Sequence, residues 1–91
     1  MFDLKDKVII LTGATGVLGS AIALSLAKAQ VQLILLGRNQ ELLDLLNTQL
    51  TPFTKVRTFV VDVLNKQDLL GVRTKILSEL NRIDILINAV G

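Results

Sequence analysis

The chain has 91 residues, 51% of them apolar, and ten Lys+Arg against eight Asp+Glu give a net charge of +2; that leaves room for one small domain and excludes a disordered tail. With no Cys and no His, disulfide scaffolds, thiolate zinc sites, Cys nucleophiles and His-based triads are excluded together. The basic residues are scattered singly from Lys5 to Arg82 and the few aromatics are all Phe, so no nucleic-acid patch and no stacking platform is implied.

Val8 to Ala27 carries no charge and follows Lys5 and Lys7, the pattern of a signal peptide or membrane span. Glycines, Thr12, Thr15 and Ser20 interrupt it, and a strand, a glycine turn and a helix account for the same residues better. Val8-Ile9-Ile10-Leu11, ended by Thr12-Gly13, reads as a strand buried on both faces. From Leu18 the period changes, and Leu18, Ile22 and Leu26, with Ala21 and Ala29 beside them, predict a helix with one stripe on a sheet. Val31 to Leu36 is the second strand, closed by Gly37. Asn39 then caps a helix whose core residues are Leu42, Leu43, Leu46 and Leu50, and Thr51-Pro52 stops it. Val56 to Val63 is the third strand. Asn65 with Asp68 resembles a capping box before a third helix bearing Leu69, Val72, Ile76 and Leu80, weakened by Gly71. Ile83 to Ile87 is the fourth strand, with Asp84 as the residue that starts it or meets a helix.

The order βαβαβαβ over residues 1–91 predicts a single α/β domain: a three-layer, Rossmann-like half fold with four parallel strands in the order 3-2-1-4. Its fourth strand would form an edge with little protection, Asp84 being its one charge. Self-association, or pairing with a complementary C-terminal segment, is expected through residues 83–87.

Thr12-Gly13-Ala14-Thr15-Gly16-Val17-Leu18-Gly19 lies where the first strand hands over to the first helix. Gly13 suits a backbone conformation that side chains disfavour, Gly16 lets the main chain approach a pyrophosphate, and Gly19 lets helix and strand pack closely. Amides around Thr15 to Leu18 and the positive end of the helix dipole would face the phosphates. A glycine triplet alone is weak evidence, but this one follows a buried strand and opens a periodic helix. A tight turn needing glycine for packing is the plainer alternative. A P-loop is disfavoured, because no Lys-Ser or Lys-Thr pair follows.

With Gly37-Arg38-Asn39, Asp62-Val63 and Asn88-Ala89-Val90-Gly91 after the later strands, the whole chain resembles the N-terminal part of the short-chain dehydrogenase/reductase family. The resemblance implies NAD(H) or NADP(H) bound across the carboxyl ends of the strands, and alcohol oxidation or carbonyl reduction. It implies that Asp62 and Val63 border the adenine and that Asn88, Ala89 and Gly91 line the wall near the adenosine ribose. Two departures leave the branch open: Val17 stands where the short form has its second glycine, Gly16 instead matching the spacing of the extended and atypical branches, and Asn88-Ala89-Val90-Gly91 resembles the short form's Asn-Asn-Ala-Gly with Ala89 replacing an amide and Val90 replacing Ala.

An acid after the second strand would take the ribose 2′-hydroxyl, but Gly37 stands there and Arg38 follows. A guanidinium suits a 2′-phosphate, so NADP(H) is expected in preference to NAD(H); a solvated loop cation is the plainer reading of Arg38. The family's chemistry uses a Tyr and a Lys that would come from a later segment. This chain has no Tyr, so no catalytic residue is assigned and the 91 residues are expected to be inactive alone. The alternatives are a non-enzymatic nucleotide-binding module and a truncated product without function. No membrane or nucleic-acid partner and no metal is expected, and the lack of Cys fits a reducing, cytoplasmic compartment.

Overall fold

The computed structural model describes residues 4–89. Its elements are β1 (Val8–Thr12), α1 (Val17–Lys28), β2 (Gln32–Gly37), α2 (Gln40–Leu50), β3 (Val56–Val60), α3 (Lys66–Leu80) and β4 (Ile85–Asn88). The strands form one sheet in the order β3-β2-β1-β4, with every pair parallel. This is the expected α/β architecture of a doubly wound half fold.

Alternation along the strands builds two cores from continuous apolar runs. Ile9, Leu11, Leu33 and Leu35 turn to the face covered by α1 and α2, where they meet Ala23, Ala27, Leu43, Leu46 and Leu50. Val8, Ile10, Ile34 and Leu36 turn to the opposite face and meet Val61 and Ile76, the latter from α3. Each large aliphatic side chain buried in this way contributes on the order of 1.5–3 kcal/mol.

The helix faces differ in part from the expected ones. In α1 the buried residues are Gly19, Ala23 and Ala27, while Leu18 is exposed and Ile22 and Leu26 only flank the core. Small residues at steps of four let the helix axis come close to the sheet, and the larger neighbours are displaced to its sides. In α2, Leu43, Leu46 and Leu50 are buried, but Leu42, expected in the core, is exposed.

Strand ends also shift. β3 stops at Val60 instead of running to Val63, because Asp62 turns the chain: its Oδ1 accepts from Leu64 N–H at 3.0 Å and its carbonyl from Asn65 N–H at 2.9 Å. The Asn65 N–H is thereby used, and the cap of α3 is one-sided: Asn65 Oδ1 accepts from Gln67 and Asp68 N–H. Asn81, at φ 59°, ends α3 in the left-handed conformation. β4 runs Ile85–Asn88 instead of 83–87. Asp84 precedes it and acts as its starting clamp, its Oδ2 accepting from Val8 N–H at 2.8 Å while Arg82 donates to both carboxylate oxygens. Those bonds from Arg82, and then the one from Val8, hold the Asp84 carboxyl below the usual carboxylate range.

Register brings the carboxyl ends of all the strands to one edge. Thr12 lies opposite Leu36 and Asn88, and Gly37 lies opposite Val60. The loops after β1, β2 and β3 therefore converge on one place.

Candidate functional site

The turn after β1 is shaped by its glycines in two different ways. Gly13 has φ 65°, a conformation that L side chains seldom adopt. A Cβ on Gly19 would lie 2.0 Å from Gly13 O, so the first turn of α1 is seated directly on the turn backbone. Gly16 differs from both: it is extended, with φ −73° and ψ 170°, and a Cβ there would meet Gly13 O at an ordinary 3.5 Å. The protein's own packing does not require a glycine at position 16.

Gly16 is also the N-cap of α1, and no side chain caps that helix or places an acid in its first turn. The first amides of a helix have no partner within it. At α2, Asn39 Oδ1 accepts from Leu42 N–H, with Glu41 in the first turn. At α3, Asn65 plays the same part, with Asp68 in the first turn. The N-terminus of α1 thus presents uncapped amides and the positive end of the helix dipole. Val17 and Leu18 have exposed side chains here, so their contribution to an anion site would come from the backbone.

A cleft of about 330 Å³ opens beside this turn, lined by Gly13, Thr15, Gly16, Arg38, Asp62, Val63 and Ala89 among the predicted residues. Gly19 lies beneath the turn, and Asn88 ends β4, where Thr12 Oγ1 donates to its Oδ1 at 2.9 Å. Gly91 lies outside the described residues. Leu36, Gly37, Asn39, Val61 and Leu64 also line the cleft; Gly37 and Asn39 belong to the Gly37-Arg38-Asn39 segment that carries the family resemblance, and none of the five is among the residues expected to contact the cofactor. The sequence assigns Asn39 the role of a cap; its place in the Gly37-Arg38-Asn39 segment, two residues past the end of β2, is the signal that points to the cleft. Thr12 is the other omission. It is the buried polar residue among those described, and its hydroxyl ties the end of β1 to the end of β4.

Charge in the cleft comes from Arg38 and Asp62. Arg38 is exposed, and among the described residues the ion pairs are Arg57–Glu79 and Arg82–Asp84, both elsewhere. Asp62 has one oxygen engaged by Leu64 N–H. Gly37 is buried, and a Cβ there would meet Thr15 Cγ2 at an ordinary 3.5 Å and the core side chain of Leu43 at 3.2 Å, a tight contact that Leu43 would have to relieve by a few tenths of an ångström. Among the described residues no group of His, Cys, Asp and Glu could hold a metal, and no helix is long and apolar enough to cross a membrane.

Uncapped amides, a close-packed glycine turn and a cation beside an apolar cleft fit an anionic nucleotide, and the chain as a whole is similar to known proteins. An uncharacterized oxidoreductase of Staphylococcus saprophyticus is 33% identical over 93 aligned residues, covering 100% of this chain and 40% of that protein. Two solved structures superpose closely. The NAD+-bound xylitol dehydrogenase has a TM-score of 0.88 at 29% identity, over 93% of this chain and 33% of its own. The L-sorbose reductase of Gluconobacter frateurii, complexed with NADPH and L-sorbose, has a TM-score of 0.91 at 29% identity, over 99% of this chain and 36% of its own. The chain thus spans about 40% of the length of the curated relatives it matches. The family model for short chain dehydrogenase matches residues 7–91, and the chain belongs to that family.

Proposed function

We propose that these 91 residues are the NADP(H)-binding portion of a short-chain dehydrogenase-type oxidoreductase. The observation that carries this reading is the uncapped N-terminus of α1 opening onto a cleft that holds Arg38 and has a glycine, not an acid, at the end of β2. In this reading the backbone amides around Thr15 to Leu18, other than that of Gly16, which donates to Gly13 O at 3.2 Å, take the pyrophosphate, with Gly13 shaping the turn, Gly16 leaving room for the phosphates and Gly19 holding the helix against the turn. Arg38 takes the 2′-phosphate through charge-assisted hydrogen bonds. Asp62 and Val63 border the adenine, and Asn88 and Ala89 line the wall by the adenosine ribose. Thr12 holds Asn88 in place from below. The relatives' cofactors, NAD+ in one and NADPH in another, support a nicotinamide dinucleotide without choosing between them. Arg38 and Gly37 support the choice of NADP(H).

A nicotinamide cofactor, when bound, supplies or accepts a hydride. The accompanying proton needs a donor or acceptor within hydrogen-bond reach of the reacting oxygen. With no Tyr and no His in the sequence, we assign that role to none of these residues; their part is to bind and orient the cofactor.

Calorimetric titration of the chain with NADPH and NADH tests the choice of cofactor. Arg38→Ala is expected to weaken NADPH by about 1.5–3 kcal/mol, roughly 10- to 150-fold, and NADH much less. Equal losses for both cofactors, or tighter NADH binding in the parent chain, would overturn the assignment of Arg38.

A further inference from the structure

The loop after β3 carries an apolar side chain that the fold does not use. Leu64 is 83% exposed and belongs to neither core cluster, yet it lines the cleft together with Val61 and Val63. Its backbone is fixed on both sides: Leu64 N–H donates to Asp62 Oδ1 at 3.0 Å, and the next amide, that of Asn65, donates to Asp62 O at 2.9 Å. Asn65 then caps α3 at once, its Oδ1 accepting from Gln67 and Asp68 N–H. A leucine held between a side-chain turn and a helix cap is preset in position, and standing in water it forgoes the burial that stabilises the other large aliphatic residues of the chain. Further strands of a doubly wound sheet add beyond β4, whereas this loop follows β3, at the opposite edge.

The order of the strands decides what Leu64 can meet. From β4 toward β3 the cleft is lined by Ala89, then by the glycine turn after β1, then by Arg38 after β2, and last by Val61, Val63 and Leu64 after β3. The amides that suit phosphate and the guanidinium therefore lie inward of an apolar end. A group that reaches this end while attached to the phosphates is uncharged and has apolar faces, which describes a nucleobase.

We propose that Leu64 covers one face of the cofactor's adenine. This rests on the nucleotide reading given above and deepens it, adding to Asp62 and Val63 a side chain that is buried only when the base is bound. The two exposed residues of the cleft then divide the selection: Arg38 makes affinity depend on the 2′-phosphate, and Leu64 makes it depend on the base, by the same amount in NADPH and NADH.

Two variants test the assignment. Leu64→Ala should weaken NADPH and NADH by one common factor of about tenfold in calorimetric titration, with the unfolding midpoint of the parent, because the side chain packs against nothing in the free chain. The sequence has no Trp and no Tyr, so Leu64→Trp carries a single indole. Adenosine 2′,5′-bisphosphate, which has the base and no nicotinamide, should stack on that indole and quench its emission saturably, and inorganic pyrophosphate should leave the emission unchanged. NADPH binding undiminished in Leu64→Ala, a loss confined to NADPH, an unfolding midpoint lowered along with affinity, or quenching absent with the bisphosphate or equal with pyrophosphate would overturn the role of Leu64 and leave the cofactor reading standing. A parent chain that binds neither NADPH nor NADH would overturn the cofactor reading itself, and the assignment of Leu64 with it.

Discussion

The N-termini of the three helices show how one structural problem is solved in two ways. At α2 and α3 an asparagine from the preceding residue accepts from the helix amides, and an acid in the first turn complements the dipole. At α1 the preceding residue is Gly16, and neither device is present. Capping contributes about 1 kcal/mol, so α1 forgoes local stabilisation that its neighbours have. Its first turn is instead held by close packing of Gly19 on the Gly13 carbonyl. The difference separates residues that stabilise the fold from residues that leave a surface open to a ligand, and substitutions at each helix start can probe that separation.

The largest expected effect is at Gly19. In Gly19→Val the Cβ meets backbone, which cannot give way as a flexible side chain would, and the chain should lose about 3 kcal/mol of stability, measured by denaturant unfolding. Stability within a few tenths of a kcal/mol of the parent would show that α1 does not rest on the turn.

Next comes Asn65→Ala, which removes the cap of α3. A loss of about 1 kcal/mol is expected, with NADPH affinity changed much less, since Asn65 follows the cleft residue Leu64 but does not itself line the cleft. A matched loss of affinity would mean that capped and uncapped helix starts are not functionally distinct.

The smallest effect belongs to Asp84, at the opposite end of the sheet from the cleft. Its carboxyl is held below its ordinary range when folded, so its contribution is present above the unfolded pKa of about 3.9 and is lost as pH falls through the lower folded value. The parent chain should therefore lose stability more steeply than Asp84→Asn as the pH is taken below about 4. Parallel pH profiles for the two would remove Asp84 as the clamp at the start of β4.

Much of the fold was legible because its strands are continuous apolar runs ended by glycine or polar residues, and this pattern implies a parallel sheet covered on both faces. Strand order followed from right-handed crossovers. The helix faces were less legible. The leucines of α1 carried the hydrophobic signal, yet Gly19, Ala23 and Ala27 meet the sheet, because close approach rewards small volume over hydrophobicity. Similarly, Leu42 and Leu43 are alike in sequence, and only the rotation of α2 on the sheet decides that Leu43 is buried. The end of β3 depended on the turn formed by Asp62, where a side chain competes with the ladder for backbone amides. At the site, the glycine turn and Arg38 announced themselves by residue type. Thr12 and Asn39 did not, since a threonine at a strand end and an asparagine before a helix each have an ordinary structural explanation.

The central claim is that the start of α1 lacks a cap because its amides serve the cofactor's phosphates. Gly16→Asn tests it directly, because position 16 is extended and has room for a side chain, so the variant can form the cap that α2 and α3 already have. Calorimetric titration with NADPH, alongside denaturant unfolding, should show stability equal to the parent or higher by a few tenths of a kcal/mol. Affinity should fall at least about tenfold, the loss of one charge-assisted hydrogen bond. An equally stable variant that binds NADPH as tightly as the parent would contradict the claim.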